Sequence, residues 1–434
     1  EDARLARNTL HSNAYRMGIE WSRIFPRSTA GVHVGTRITV ADLHKLDRLA
    51  DQRAVGHYRA ELRYVRQLGM KPFVTINHFT LPSWIHDPIA VRAALSGRGP
   101  DDALPPLKRA GWLDRSTVTE FRKYSAYLAW KYGKLVDFWT PINEPSVLAA
   151  NGYVNGVLAG FFPPGVFSFT AAVTALENEA DANAAAYDAV HAFDRHARVG
   201  VVQNMVAFTP SDPASQRDVT ATRHADYIFN RFFLDDAVKG YRDRNADGVI
   251  DPSEKHPKLA GKADFIGVNY YFRGRVTGLG QPLSRRIPVL DFAPQTDYRS
   301  TPCPTTCSDF GSEIYPAGFR QVLATAGSYR RPVYVTENGI ADASDKLRRP
   351  YLVQHIAEMR RAIAAHEADV RGYFEWSLVD NFEWSAGYAP KFGLFGFNPR
   401  TLARRARPSA ALFGRIAGGN RISAADLARF GSTP

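Results

Sequence analysis

The chain has 434 residues, 45% of them hydrophobic and 12% aromatic, which suffices for a large buried core and excludes a disordered polymer. No apolar run approaches the ~18 residues of a membrane-spanning helix, so no membrane partner is expected. The formal charge of +12 is carried by arginines scattered along the chain, not by a basic stripe with interleaved aromatics, and no nucleic-acid partner is expected either. No charged-then-apolar leader opens the sequence, which reads as a cytoplasmic protein in preference to a processed export form.

Short β-like runs alternate with longer helical patterns, the order that builds a parallel sheet with crossover helices. The runs are AYRMGIEW from Ala14, KPFVTIN from Lys71, DFWTPIN from Asp137, RVGVVQN from Arg198, DFIGVNYY from Asp264, RPVYVTEN from Arg331 and VRGYFEWS from Val370, seven in all. Between the first two, Tyr58, Leu62, Val65 and Leu68 recur at helical spacing and Gly69 is placed to cap. Ahead of the third, Thr117 and Glu120 fit a capping box that opens a helix carrying Phe121, Tyr124 and Leu128. With neither linker nor repeat in view, residues 1–434 read as one α/β barrel domain.

Two segments stand apart from that alternation. DRNADGVIDPSE, from Asp243 to Glu254, meets the EF-hand loop pattern: Asp243, Asn245 and Asp247 at the first, third and fifth positions, Gly248 at the turn, then the Val249 carbonyl, Asp251 and Glu254. Hard oxygen ligands at that spacing wrap one calcium ion, so a structural Ca2+ is expected; the bland alternative is a polar turn that caps a helix. From Gly274 to Tyr315 a Pro-, Ser- and Thr-rich stretch reads as an irregular excursion on one face of the barrel. It holds both cysteines, Cys303 and Cys307, which lack the further ligands zinc requires; a local disulfide and two free thiols both stay open.

Polar and charged residues gather where the apolar runs end: Arg16 and Glu20, Asn77 and His78, Asn143 and Glu144, Glu337 and Asn338. In a parallel α/β barrel that end of the strands builds the active site. Glu144 and Glu337 each follow an apolar run directly, and a carboxylate there is costly to desolvate unless paired or used. Glycoside hydrolysis needs such a pair, one protonated to assist the leaving oxygen and one ionised to attack the anomeric carbon. A single glutamate in such a place is more often a partner for an arginine or a helix cap, so the pair alone does not decide.

The segments NAYRMGIEWSRIFP, TINHFTLPSW, FWTPINEPSV, DFIGVNYY, VYVTENGIAD and EWSLVDNFEWSAGYAPKFGLFGF closely resemble glycoside hydrolase family 1, and LPSWIHDPI resembles its archaeal-type β-glycosidases. The similarity runs in order from about Glu1 to Ala410. It implies a (β/α)8 TIM-type barrel and a retaining exo-β-glycosidase that acts on terminal non-reducing β-D-glucosides or galactosides by double displacement, with small β-glycosides or oligosaccharides as substrates and no catalytic cofactor. By motif, Glu144 matches the family's acid/base and Glu337 its nucleophile; Arg16 and Tyr271 match the pair that orients the nucleophile. His78, Asn143, Trp376, Glu383 and Trp384 match its sugar-binding residues, and Glu383 argues for unphosphorylated sugars because a carboxylate repels phosphate. Simple core packing is the bland reading of Trp376 and Trp384, and Glu383 beside them speaks against it.

The sequence departs from the family pattern in places. His78 is followed by Phe79 where the family usually has Trp, which makes the aromatic wall smaller and removes an indole N–H. The calcium-type segment reads as an insertion. The family's first strand, with a sugar-binding Gln, has no counterpart, so an incomplete barrel is expected, open near Arg16 and Trp376, with weakened hydrolysis and homo-oligomer formation through the open strand edge. The competing function on that ground is a catalytically weak or silent glycan-binding relative.

Overall fold

The computed structural model describes residues 1–155 and 162–431. Each apolar run forms a strand: β1 (Ala14–Gly18), β2 (Lys71–Asn77), β3 (Phe138–Ile142), β4 (Arg198–Asn204), β5 (Phe265–Tyr270), β6 (Val333–Asn338) and β7 (Val370–Glu375). The seven pair in parallel and in chain order, with helices such as Gln52–Gln67, Ser116–Tyr132, Phe169–Phe193, Pro316–Gly327 and Arg348–Ala364 returning the chain between them. This is a (β/α)8-type barrel wall with a seam.

Alternate residues of each strand face inward, and they fill the barrel in layers. The floor is aromatic: Phe73, Phe138, Phe265 and Tyr334, with Phe374 against them. Phe73 stacks on Phe138 with centroids 5.1 Å apart, and Phe265 meets Tyr334 edge-on at 5.1 Å. Burying each such ring stabilises the fold by roughly 1.5–3 kcal/mol. Gly200 makes the room, since a Cβ there would lie 2.3 Å from the Phe265 ring. Above the rings, Thr140 donates its hydroxyl proton to Thr75 Oγ1 at 2.9 Å. The next layer, at the carboxyl ends of the strands, is polar.

The seam lies between β1 and β7, the two ends of the sheet order. A cavity of about 1230 Å³ separates them, lined by residues 14–18 and 371–379. Strands β2 to β6 are buried almost throughout, whereas β1 and β7 are half-buried. The opening sits beside Arg16 and Trp376, where the sequence placed it.

Three local expectations need comment. The helix after residue 115 starts at Ser116 without a capping box. Asp114 supplies the cap instead, its Oδ1 accepting from Ser116 N–H at 2.9 Å, which frees Thr117 to bond Gly111 O and Glu120 to pair with Lys123. The excursion is only partly irregular: Arg273–Gly278 and Phe292–Gln295 join Ala207–Pro210 in a three-stranded sheet. Cys303 and Cys307 form a disulfide. No helix among the described residues is long and apolar enough to cross a membrane.

Candidate active site

The polar layer is held by strand ends with unusual backbone. Glu144 follows β3 in the left-handed region (φ 50°), and Phe79 after β2 and Trp384 share that conformation (φ 69° and 47°). Such strain in non-glycine residues persists only where surroundings impose it, and it concentrates at functional sites. Glu337 is turned inward by a break in register: Val268 pairs with Val335, but Asn269 pairs with Glu337, skipping Thr336. The extra residue lets Thr336 and Glu337 both reach the site.

Glu337 is 4% exposed and doubly held. Arg16 Nη1 forms an ion pair with its Oε1, and the Tyr271 hydroxyl donates to Oε2 at 2.5 Å. Together the two contacts fix both oxygens of the carboxyl group. Glu144, 6% exposed, makes no ion pair among the described residues. Its Oε1 accepts from Asn269 Nδ2 at 2.7 Å and Asn204 Nδ2 at 3.1 Å. Burial, reinforced by the charge of Glu337, pushes the Glu144 carboxyl up to about 8, and the two amides only partly oppose this. With Oε1 occupied by two N–H donors, the proton of the neutral acid sits on Oε2, which accepts no hydrogen bond from any described residue.

Amide orientations can be assigned from donors that cannot accept. Arg16 Nη2 donates to Asn143 Oδ1 at 2.6 Å, which turns Asn143 Nδ2 toward His78 Nε2 at 3.1 Å. His78 Nε2 is therefore the unprotonated nitrogen and Nδ1 carries the proton. Burial pushes His78 down to about 4, so the ring is neutral at pH 7. Asn143 Oδ1, an oxygen that only accepts, turns the Asn269 amide N–H groups toward itself at 3.3 Å and toward Glu144, which leaves Asn269 Oδ1 to accept from the Thr336 hydroxyl at 2.6 Å. A continuous chain thus runs Glu337–Arg16–Asn143–Asn269–Glu144.

The remaining residues singled out from sequence form one wall of the same pocket. The His78 ring lies 5.4 Å from Trp384 and 6.4 Å from Trp376, and Phe79 packs on Trp384 at 5.1 Å. Glu383 lines the pocket beside them, its carboxyl pushed up to about 7 by burial and then by Glu337. Asn204, Asn269 and Thr336 were not singled out in the sequence. For Asn269 the signal was alternation: Phe265, Gly267 and Asn269 are spaced by two along β5, with Tyr271 next in step just past its end.

The loop from Asp243 to Glu254 lies outside this constellation and forms a turn, with Ala246 and Gly248 left-handed. All its donors are oxygen, which suits Ca2+. Asp243 Oδ2 accepts from Gly248 N–H at 2.8 Å and from the Tyr227 hydroxyl at 2.5 Å. The Glu254 carboxylate accepts from Arg244 and Asp251 N–H at 2.8 and 3.0 Å, and Asp247 from Val249 N–H at 2.8 Å. Asn245 Nδ2 donates to Asp247 at 2.8 Å. Among the described residues no three acidic, imidazole or thiol side chains converge as a metal cage.

A parallel barrel that offers two carboxyl groups in contrasting surroundings at its strand ends is the architecture of a glycoside hydrolase. The chain belongs to glycosyl hydrolase family 1, whose profile matches residues 103–422. It is 38% identical to a beta-galactosidase of Pyrococcus woesei, over 98% of this chain and 86% of the relative. A beta-galactosidase of Saccharolobus solfataricus is 36% identical, over 96% and 83%. The structure of the beta-glycosidase of Thermosphaera aggregans superposes with a TM-score of 0.85 at 34% identity, covering 100% of this chain and 87% of that one.

Proposed function

We propose that this glycoside hydrolase is a retaining exo-β-glycosidase that removes terminal non-reducing β-D-glucosyl or galactosyl groups by double displacement. The observation that carries the reading is the contrast between the two carboxyl groups: Glu337 beside a guanidinium and a phenol, Glu144 buried beside neutral amides.

The ionised Glu337 attacks the anomeric carbon while the Glu144 Oε2 proton passes to the departing glycosidic oxygen, leaving a covalent glycosyl ester and a free alcohol. Forming the ester removes the negative charge on Glu337. That charge is the second cause of the raised Glu144 pKa, so Glu144 becomes more acidic once its proton has gone. Its carboxylate then takes a proton from water, whose oxygen attacks the anomeric carbon from the vacated face and releases Glu337. His78, Asn143, Trp376, Glu383 and Trp384 hold the sugar in this reading, and Arg16 and Tyr271 fix the attacking oxygen. His78, Tyr271, Trp376, Glu383 and Trp384 line one pocket with Glu144 and Glu337, which supports an enzyme over a silent glycan-binding relative.

The test is a 2-deoxy-2-fluoro β-glucoside with a good leaving group, expected to label Glu337, together with the anomer formed first on hydrolysis. A first-formed α-anomer would overturn double displacement.

Two narrower readings accompany it. The loop of Asp243, Asn245, Asp247, Val249, Asp251 and Glu254 binds Ca2+, supported by the spacing of its oxygen donors; the melting temperature should rise with free calcium, and an unchanged value in chelator sinks the idea. The free edges of β1 and β7 carry backbone groups able to pair with another strand, so sedimentation should show concentration-dependent association of like copies.

A further inference from the structure

The pocket over the two glutamates is far larger than one sugar ring needs and changes character with height. Its volume is about 780 Å³, within the range of sites that enclose a drug-sized ligand. Its base is the hydrogen-bonding layer of Glu144, Glu337, His78 and Glu383. Its walls come from separate parts of the chain and are mostly apolar, Phe169, Phe208, Phe232, Ile287, Leu290 and Phe310 outweighing polar side chains such as Asn151, Thr296 and Ser312. Phe169, Phe232 and Ile287 belong to one buried cluster, so that wall is backed by packed side chains. Leu283 lines the same pocket, yet it is 54% exposed. The charged wall residues are Asp297 and Arg299, and they satisfy each other at 2.5–3.0 Å.

A second sugar bound there would bring several hydroxyls against walls made mostly of rings and aliphatic side chains that can neither donate nor accept, and each hydroxyl left unpaired is costly. An alkyl or aryl group would instead bury apolar surface against them. Resting on the glycosidase reading above, we infer that the leaving group this enzyme is built for is an apolar alcohol, alkyl or aryl, and not a second sugar.

The experiment is a series of n-alkyl β-D-glucosides from methyl to octyl, kept below micelle formation, with cellobiose alongside. The alcohols differ little in acidity, so the chemistry of departure is held constant while the buried chain grows. The expected result is a kcat/KM that rises about fourfold per methylene beyond butyl, the value for full apolar burial. Cellobiose should fall at least about tenfold below octyl glucoside. In Leu283→Asn the slope should flatten for the longer chains. A flat series, or cellobiose turned over as well as octyl glucoside, overturns the inference while leaving the glycosidase intact. Failure to hydrolyse any member, methyl glucoside included, removes the glycosidase reading and the inference with it.

Discussion

Glu144 and Glu337 are the same residue type, almost equally buried, at the ends of two strands of one barrel. What differs is the company each keeps. Around Glu337 the contacts are a guanidinium and a phenolic hydroxyl; around Glu144 they are two carboxamides and the distant repulsion of its partner. Their identical side chains can take opposite parts because burial raises the proton affinity of Glu144 while a cation and a phenol hold Glu337. The chain through Arg16, Asn143 and Asn269 joins the two regions mechanically, so neither setting is independent of the other.

That contrast can be attacked from either side. The largest effect is expected at Glu337→Gly, which should lower kcat on an aryl glucoside at least about 10⁴-fold, with azide restoring turnover as the α-glycosyl azide. If azide instead yields the β-product, the parts have been assigned the wrong way round. Glu144→Ala should cost about 10²–10⁴-fold on substrates with poor leaving groups and far less on dinitrophenyl glycosides, because only the former need proton assistance. Equal losses on both would remove Glu144 as the acid.

Asn269→Ala sharpens the comparison further. The amide stabilises the ionised Glu144, so its loss raises that pKa, and the alkaline limb of kcat/KM, expected near pH 8, should move upward with roughly a tenfold loss of rate. A limb that stays put would mean another group governs it. The smallest effect is on stability. The Glu144 pKa rises from 4.5 to about 8 on folding, so the native state holds this proton more tightly than the unfolded chain. Its cost to stability is absent below pH 4.5, grows through the interval and is complete above pH 8. Glu144→Gln should therefore raise the melting temperature by a few degrees at pH 9 and much less at pH 5; equal shifts would deny the folded-state pKa.

All seven strands could be read from the sequence because each is a compact apolar run bounded by turn residues, and the glutamates were visible because each stands where such a run stops. What the sequence concealed was pairing. Asn269 bonds Glu144 across 125 positions, and the skipped residue at Thr336 exists only as a relation between two strands. Asp114 displaced the expected capping box because a cap is decided by loop geometry that the residue pattern does not carry. The two strands inside the excursion from Gly274 were hidden by Pro and Gly, which strands tolerate at edges.

Arg16, the counter-charge of Glu337, stands on β1, which is hydrogen-bonded to β2 along one side and borders the seam on the other. Strand termini of a sheet open at lower free energy than its centre. On heating, β1 should thus part from the wall while β2 to β6 stay packed, and Glu337 would lose its cation in a molecule that is otherwise folded. Activity should then fade several degrees before the cooperative melting seen by circular dichroism, which would make turnover the more sensitive thermometer of this barrel.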